Sequence, residues 1–141
     1  MRTSDGGDIA RILDGYHGLS ECVIESVLLK DYGTTVEIGF DYIWDDEGNV
    51  RKDLDRVKEL TLRFRIVQVF HMENALNASM SRHPENINWG LNEVALVRVV
   101  SDDSLPAYAA LSVPFNRVDL LWEDERRITL IFSELEVLQK W

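Results

Sequence analysis

Tyr16, His17 and Cys22, the only cysteine of the chain, stand together in "GYHGLSEC", residues 15 to 22. A thiol becomes a nucleophile when a neighbouring histidine or a helix N-terminus lowers its pKa and solvent can reach it. Five residues of separation across Gly18 would let imidazole and thiol meet. The competing reading is structural. Cys22 alternates with Ile24, Ser26 and Leu28, which makes it a small apolar residue entering a strand, and free cysteine is among the most buried residue types. Gly15 then stops a helix and Gly18 makes a turn. The strand entrance is the expectation, with His17 as the one credible base if the protein is an enzyme.

Other chemistry-bearing residues are sparser. "HME", His71 to Glu73, has the start of a zinc-deaminase signature, but no cysteine follows residue 22 to complete it. His17, His71 and His83 match no metal-ligand spacing. No phosphate-binding glycine loop, nucleophile elbow or Walker lysine is present. Paired carboxylates lie in polar stretches such as "DDEG" and "WEDE", where solvation explains them. No catalytic residue, metal or cofactor is therefore expected.

The elements that position these residues follow from length and pattern. The chain has 141 residues, 45% of them hydrophobic and 28% charged. Those values suit one globular domain over residues 9 to 141, after a flexible start over residues 1 to 8. "DIARILDGY" predicts one or two helical turns ending at Gly15. "CVIESVLLK" and "TTVEIGFDYIW" read as a hairpin around "DYGT". In the second strand Val36, Ile38, Phe40, Tyr42 and Trp44 share the core face, while Thr35, Glu37, Gly39 and Asp41 face water. "DDEGNVRKDLDR" is a polar loop turning at Gly48-Asn49. A third strand, Leu60 to Phe70, puts Leu62, Phe64 and Ile66 inward and Arg63 and Arg65 outward, opposite Glu37 and Asp41. Its alternation breaks after Ile66, which predicts a bulge or a covered strand end. Met72, Ala75, Leu76 and Met80 have helical spacing and predict a short helix over Val67 and Val69. Strands at Glu93 to Val100, Tyr108 to Val113 and Arg127 to about Val137 complete the pattern. The expected fold is mainly β, with α+β as the alternative: an antiparallel meander of about six strands, twisted or half-closed, with one short helix packed on it.

Charge narrows the function classes. Fifteen basic and twenty-five acidic residues give a net charge of −10. Nucleic acid and anionic membrane are poor partners for such a chain, and a basic protein surface is a good one. No stretch has the roughly 18 apolar residues of a membrane span, and the start has no signal core, so a cytoplasmic address is expected. The acid is uneven. Residues 101 to 125 carry Asp102, Asp103, Asp119, Glu123, Asp124 and Glu125 against the single base Arg117. Asp102, Asp103, Glu123, Asp124 and Glu125 are candidate partner-binding residues, and a solvated sheet edge is their alternative reading. Trp44 and Trp89 join them, as aromatic residues that either fill core or rim an interface. Oligomeric state leaves no mark on the sequence.

"GYHGLSECVIESVLL" followed by "VEIGFDYIW" resembles small bacterial immunity proteins of contact-dependent and polymorphic toxin systems. The resemblance spans about the first 45 residues, matches no diagnostic motif and carries over no site residue. It implies a non-enzymatic inhibitor that binds and neutralises a basic toxin protein. Two further classes stay open: a small-molecule binder with its pocket between sheet and helix, and an enzyme using His17.

Overall fold

The computed structural model describes residues 1–76, 78–83, 94–100, 105–122 and 126–141. Two antiparallel sheets face a common core. The first has the order β1 (Arg2–Thr3), β9 (Glu134–Lys140), β4 (Glu59–Arg65), β3 (Thr35–Asp41), β2 (Val23–Lys30). The second runs β5 (Val69–Glu73), β8 (Arg127–Phe132), β7 (Asn116–Trp122), β6 (Val94–Val100). Among the described residues the sheets stay open and form no barrel. The mainly β antiparallel expectation holds, as two sheets and nine described strands where about six were expected.

The break in alternation at Ile66 is where the sheets join. Ile66 has φ +55, a left-handed conformation that turns the chain out of β4 and into β5. The neighbouring strand bends beside it at the buried Ser133, between β8 and β9. Gln68 donates to the Ile131 carbonyl at 2.8 Å and Ser133 donates to Arg65 at 3.1 Å. The two bent strands thus stay paired across the corner. Phe64 and Phe132 meet there edge to face, with centroids 4.8 Å apart, and both are fully buried.

The β2–β3 hairpin forms as its pattern predicts, with Ile24 opposite Phe40 and Val27 opposite Ile38. Val36, Ile38, Phe40 and Tyr42 are buried. On the other face Glu37 pairs with Arg63 at 2.8 Å, as expected, and the row continues through Glu136 to Arg2. Two members of that face differ. Thr35 is covered and donates to the Asp31 carboxylate at 2.9 Å. Asp41 is buried and pairs with Arg51, outside the arginine row.

The packed helix is not the expected one. It is α1 (Gly6–Gly15), whose Ile9 and Leu13 are buried and whose Ile12 and Tyr16 border the core. Asp5 caps it, its carboxylate accepting from the Asp8 amide at 2.9 Å. Residues 1 to 8, read as a loose start, have partners: Arg2 and Thr3 pair with Glu136 and Leu135. Met72 lies instead on β5, where it borders the core. The helical spacing of Met72 to Met80 leaves only a five-residue helix, α2 (Ala78–Arg82). The strand expected at Tyr108 to Val113 is also absent. Leu105–Leu111 forms 3-10 turns, in an alanine-rich run closed off by Pro106 and Pro114, which cannot donate to a ladder. The unpredicted strand β7 follows, with Val118 and Leu120 buried. No described helix is long and apolar enough to cross a membrane.

Candidate functional site

An open cleft of about 700 Å³ lies between α1 and the adjoining end of the first sheet. Its position follows from how three segments leave the core. Helix α1 ends at Tyr16, and the chain reverses through His17–Leu19, where His17, Gly18 and Leu19 have φ +57, +60 and +56. Left-handed backbone costs non-glycine residues about 1–2 kcal/mol each. Burial of Leu19 offsets that cost, and the turn leaves His17 on the cleft wall.

The second segment is residues 42 to 58. Tyr42 donates its amide to Lys58 at 2.8 Å, Arg51 donates to Ile43 at 2.8 Å, and Trp44 bridges Val50. The expected turn at Gly48-Asn49 is present: the Asp45 carboxylate accepts from the amides of Glu47 and Asn49, each at 2.9 Å, and Gly48 supplies φ +79. Asp41 and Arg51 pin this excursion from below. Their side chains are only 3% and 5% exposed and meet at 2.8 Å. Asp41 also accepts the Lys58 amide at 3.0 Å, and Arg51 reaches the Asp53 carbonyl at 3.0 Å. The third segment is the end of β9, which carries Gln139 and leads to Trp141.

These segments bring aromatic rings together. Tyr42 and Trp141 stack with centroids 5.7 Å apart and planes 8° from parallel. Tyr16 meets Tyr42 edge on at 5.7 Å, and its hydroxyl accepts from Gln139. Burial pushes the Tyr42 phenol up to about 12. The Lys58 ammonium lies 4.4 Å from the Trp141 ring centre and 5.7 Å from that of Tyr42. It pairs with no carboxylate among the described residues. Trp141 is 57% exposed and presents free ring surface to the opening. Asp8, Asp45 and Asp46 stand at the margin, with Asp8 held by Arg11.

Trp44, a candidate from the sequence, is half-buried beside this cleft. Its Nε1–H donates to the Ser20 carbonyl at 2.9 Å, and its ring lies against His17 at 5.2 Å. It supports the wall. Trp89, Asp102, Asp103, Glu123, Asp124 and Glu125 lie outside the described residues. Asp119 of the same acidic segment is buried, accepts from Thr129 at 2.9 Å and pairs with Arg117 at 3.3 Å. Its charge is neutralised within the second sheet.

Cys22 is sealed in the core with no exposed surface. Burial raises its thiol to about 11, despite a backbone hydrogen bond with Ile43. The His17 ring lies tilted against Trp44, and no thiol–imidazole contact joins His17 and Cys22. The strand entrance is the structural role of "GYHGLSEC". No cluster of metal-ligating side chains occurs among the described residues; His71 pairs with Glu73 at 2.8 Å on the surface.

The cleft was missed in the sequence because Tyr16, Tyr42 and Trp141 are far apart in the chain. One signal was available: Ile9, Ile12, Leu13 and Tyr16 stand at i, i+3, i+4 and i+7, which fixes the helix that walls the cleft. No protein-family model matches the chain, and no curated relative does. Among solved structures, that of an uncharacterized protein from Neisseria gonorrhoeae is similar over 84% of this chain and 90% of that chain, at 9% identity and a TM-score of 0.48. A likeness of that degree carries no argument about function.

Proposed function

We propose that this protein is a non-enzymatic binding module of the immunity type, which uses the aromatic cleft to grip and neutralise a basic protein in the cytoplasm. One observation carries the reading. Lys58 already seats a cation over Trp141 and Tyr42, and no carboxylate among the described residues pairs with it. A lysine or arginine of a partner can take the same chemistry on the exposed ring of Trp141, with Asp45 and Asp46 at the margin. A net charge of −10 speeds the approach of a basic surface. The segment with Asp102, Asp103, Glu123, Asp124 and Glu125 belongs to the proposal as a steering element.

A second reading has its own observation. A cleft of about 700 Å³ between sheet and helix falls within the usual range for small-molecule sites. The helix is α1, not the one expected near Met72.

Protection separates the two. The basic protein retained by this chain in affinity capture from its source cells is produced in a host with and without the chain. The proposal expects growth arrest that the parent chain relieves and Trp141→Ala does not. A captured protein whose action is unchanged by the parent chain contradicts inhibition and favours the small-molecule reading.

A further inference from the structure

The cations of the cleft are held in two different ways. Both arginines that line it are neutralised, Arg2 by Glu134 and Glu136 at 3.1 and 3.0 Å and Arg11 by Asp8. The Lys58 ammonium has rings instead, 4.4 Å from the centre of Trp141 and 5.7 Å from that of Tyr42, and no carboxylate among the described residues pairs with it. Its backbone is fixed all the same. The amide donates to Asp41 at 3.0 Å and the carbonyl accepts from Tyr42 at 2.8 Å. A pinned backbone on a flexible four-carbon stem lets the ammonium leave the rings while the fold stays as it is.

Trp141 serves a second cation poorly while Lys58 is in place. A cation gains from a ring only within about 6 Å of its centre. Two cations on one ring therefore stand within about a Debye length, roughly 8 Å at physiological ionic strength, and repel. Lys58 has somewhere to go. Asp45 and Asp46 line the cleft and also an adjoining cavity of about 330 Å³, in both cases with Lys58 and Trp141. Asp45 is occupied by the turn amides of Glu47 and Asn49, whereas no described cation pairs with Asp46.

Exchange on the rings decides which side chain gains. A partner lysine that displaces Lys58 trades one ammonium for another and gains nothing from Trp141. An arginine gains, because its guanidinium is planar, stacks on aromatic faces and is more weakly hydrated than an ammonium. We infer that Lys58 is a built-in competitor for the cleft, which sets a threshold that an arginine side chain of the partner passes and a lysine does not. The inference rests on the reading of the cleft as a grip for a basic protein.

The probes are two acetylated, amidated tripeptides of equal charge, with arginine or lysine between two glycines. Each is titrated into the full chain and followed by NMR at the backbone amides around the cleft. Lys58→Met keeps the apolar stem and both backbone bonds. Lys52→Met makes the same charge change at an exposed residue that lines neither cavity. The parent should bind the arginine peptide about fivefold more tightly than the lysine peptide, the size of one exposed cation–π contact. Trp141→Ala should abolish that preference and leave lysine binding unchanged. Lys58→Met should tighten both peptides by a similar factor, again about fivefold, and Lys52→Met by clearly less. Equal tightening by Lys58→Met and Lys52→Met overturns the inference as general charge attraction, and an arginine preference still lost in Trp141→Ala then leaves the cleft reading in place. A parent that binds the two peptides alike overturns the selection of arginine. An arginine preference that survives Trp141→Ala overturns the inference and the cleft reading together. Binding of neither peptide to any variant overturns the inference, and the captured basic protein then decides the cleft reading.

Discussion

Arg51→Met removes the cation that holds Asp41 beneath the cleft. Water cannot take its place, because the two side chains are 5% and 3% exposed. Asp41 keeps the Lys58 amide at 3.0 Å but loses the charged bond at 2.8 Å. A buried carboxylate left in this state costs about 3–5 kcal/mol. With a urea slope of about 2 kcal/mol/M, the unfolding midpoint should fall by about 1.5–2.5 M. Adding Asp41→Asn lifts the buried charge and preserves an acceptor for the Lys58 amide. The double variant should recover about 0.5–3 kcal/mol of the loss, the range of coupling between neighbouring residues. Far-UV circular dichroism in urea, on the parent, both single variants and the double variant, closes the cycle. An Arg51→Met midpoint within 0.5 M of the parent, a cut-off of about 1 kcal/mol at that slope, would show that Asp41 does not depend on Arg51. So would a double variant no more stable than Arg51→Met alone.

Phe40 is fully buried opposite Leu60, so Phe40→Ala should cost about 3–5 kcal/mol, while Thr61→Ala on the outer face of β4 should cost far less; equal midpoints would mean the faces are reversed. Glu136 is held at about 2, first by the Arg2 hydrogen bond and also by Arg65 and Arg63, against burial. Its folded pKa lies below that of the unfolded chain, so its contribution is complete above about pH 4.3 and is lost as pH falls toward 2; Glu136→Gln should flatten stability across that window, and an unchanged acid profile would contradict the pairing. Cys22, with its thiol near 11, should label slowly in the native chain and quickly in urea, and fast native labelling below pH 8 would restore a reactive pair with His17. Replacing Asp102, Asp103, Glu123, Asp124 and Glu125 by Asn or Gln should slow association with the basic partner at low salt, a difference that added salt shrinks; equal rates would leave them a solvated edge.

The sequence was legible where one physical rule acted alone. The β2–β3 hairpin followed from strict alternation, because burial of one face decides register. The break after Ile66 marked a real event, but alternation cannot tell a bulge from a strand that changes sheets. The corner appears only when β8 and β9 are seen to bend beside it. Helical spacing at Met72 misled because a strand can also turn Met72 toward the core, as β5 does with the half-buried Phe70 and Met72. β7 was hidden by Asp119, whose charge suggested solvent although its partners Arg117 and Thr129 allow it to be buried. Asp41 misled in the same way, since Arg51 reaches it only after the chain has looped through ten residues. Buried charges are set by distant partners, which local patterns do not carry.

Titration calorimetry of the captured basic partner against the parent chain and Trp141→Ala decides whether the aromatic cleft is the recognition site. Trp141 supplies the exposed ring, so its loss should behave as a hot spot of about 2 kcal/mol or more, roughly a thirtyfold weaker Kd, with the unfolding midpoint little changed. A Trp141→Ala chain that binds the partner as tightly as the parent would put recognition outside the cleft.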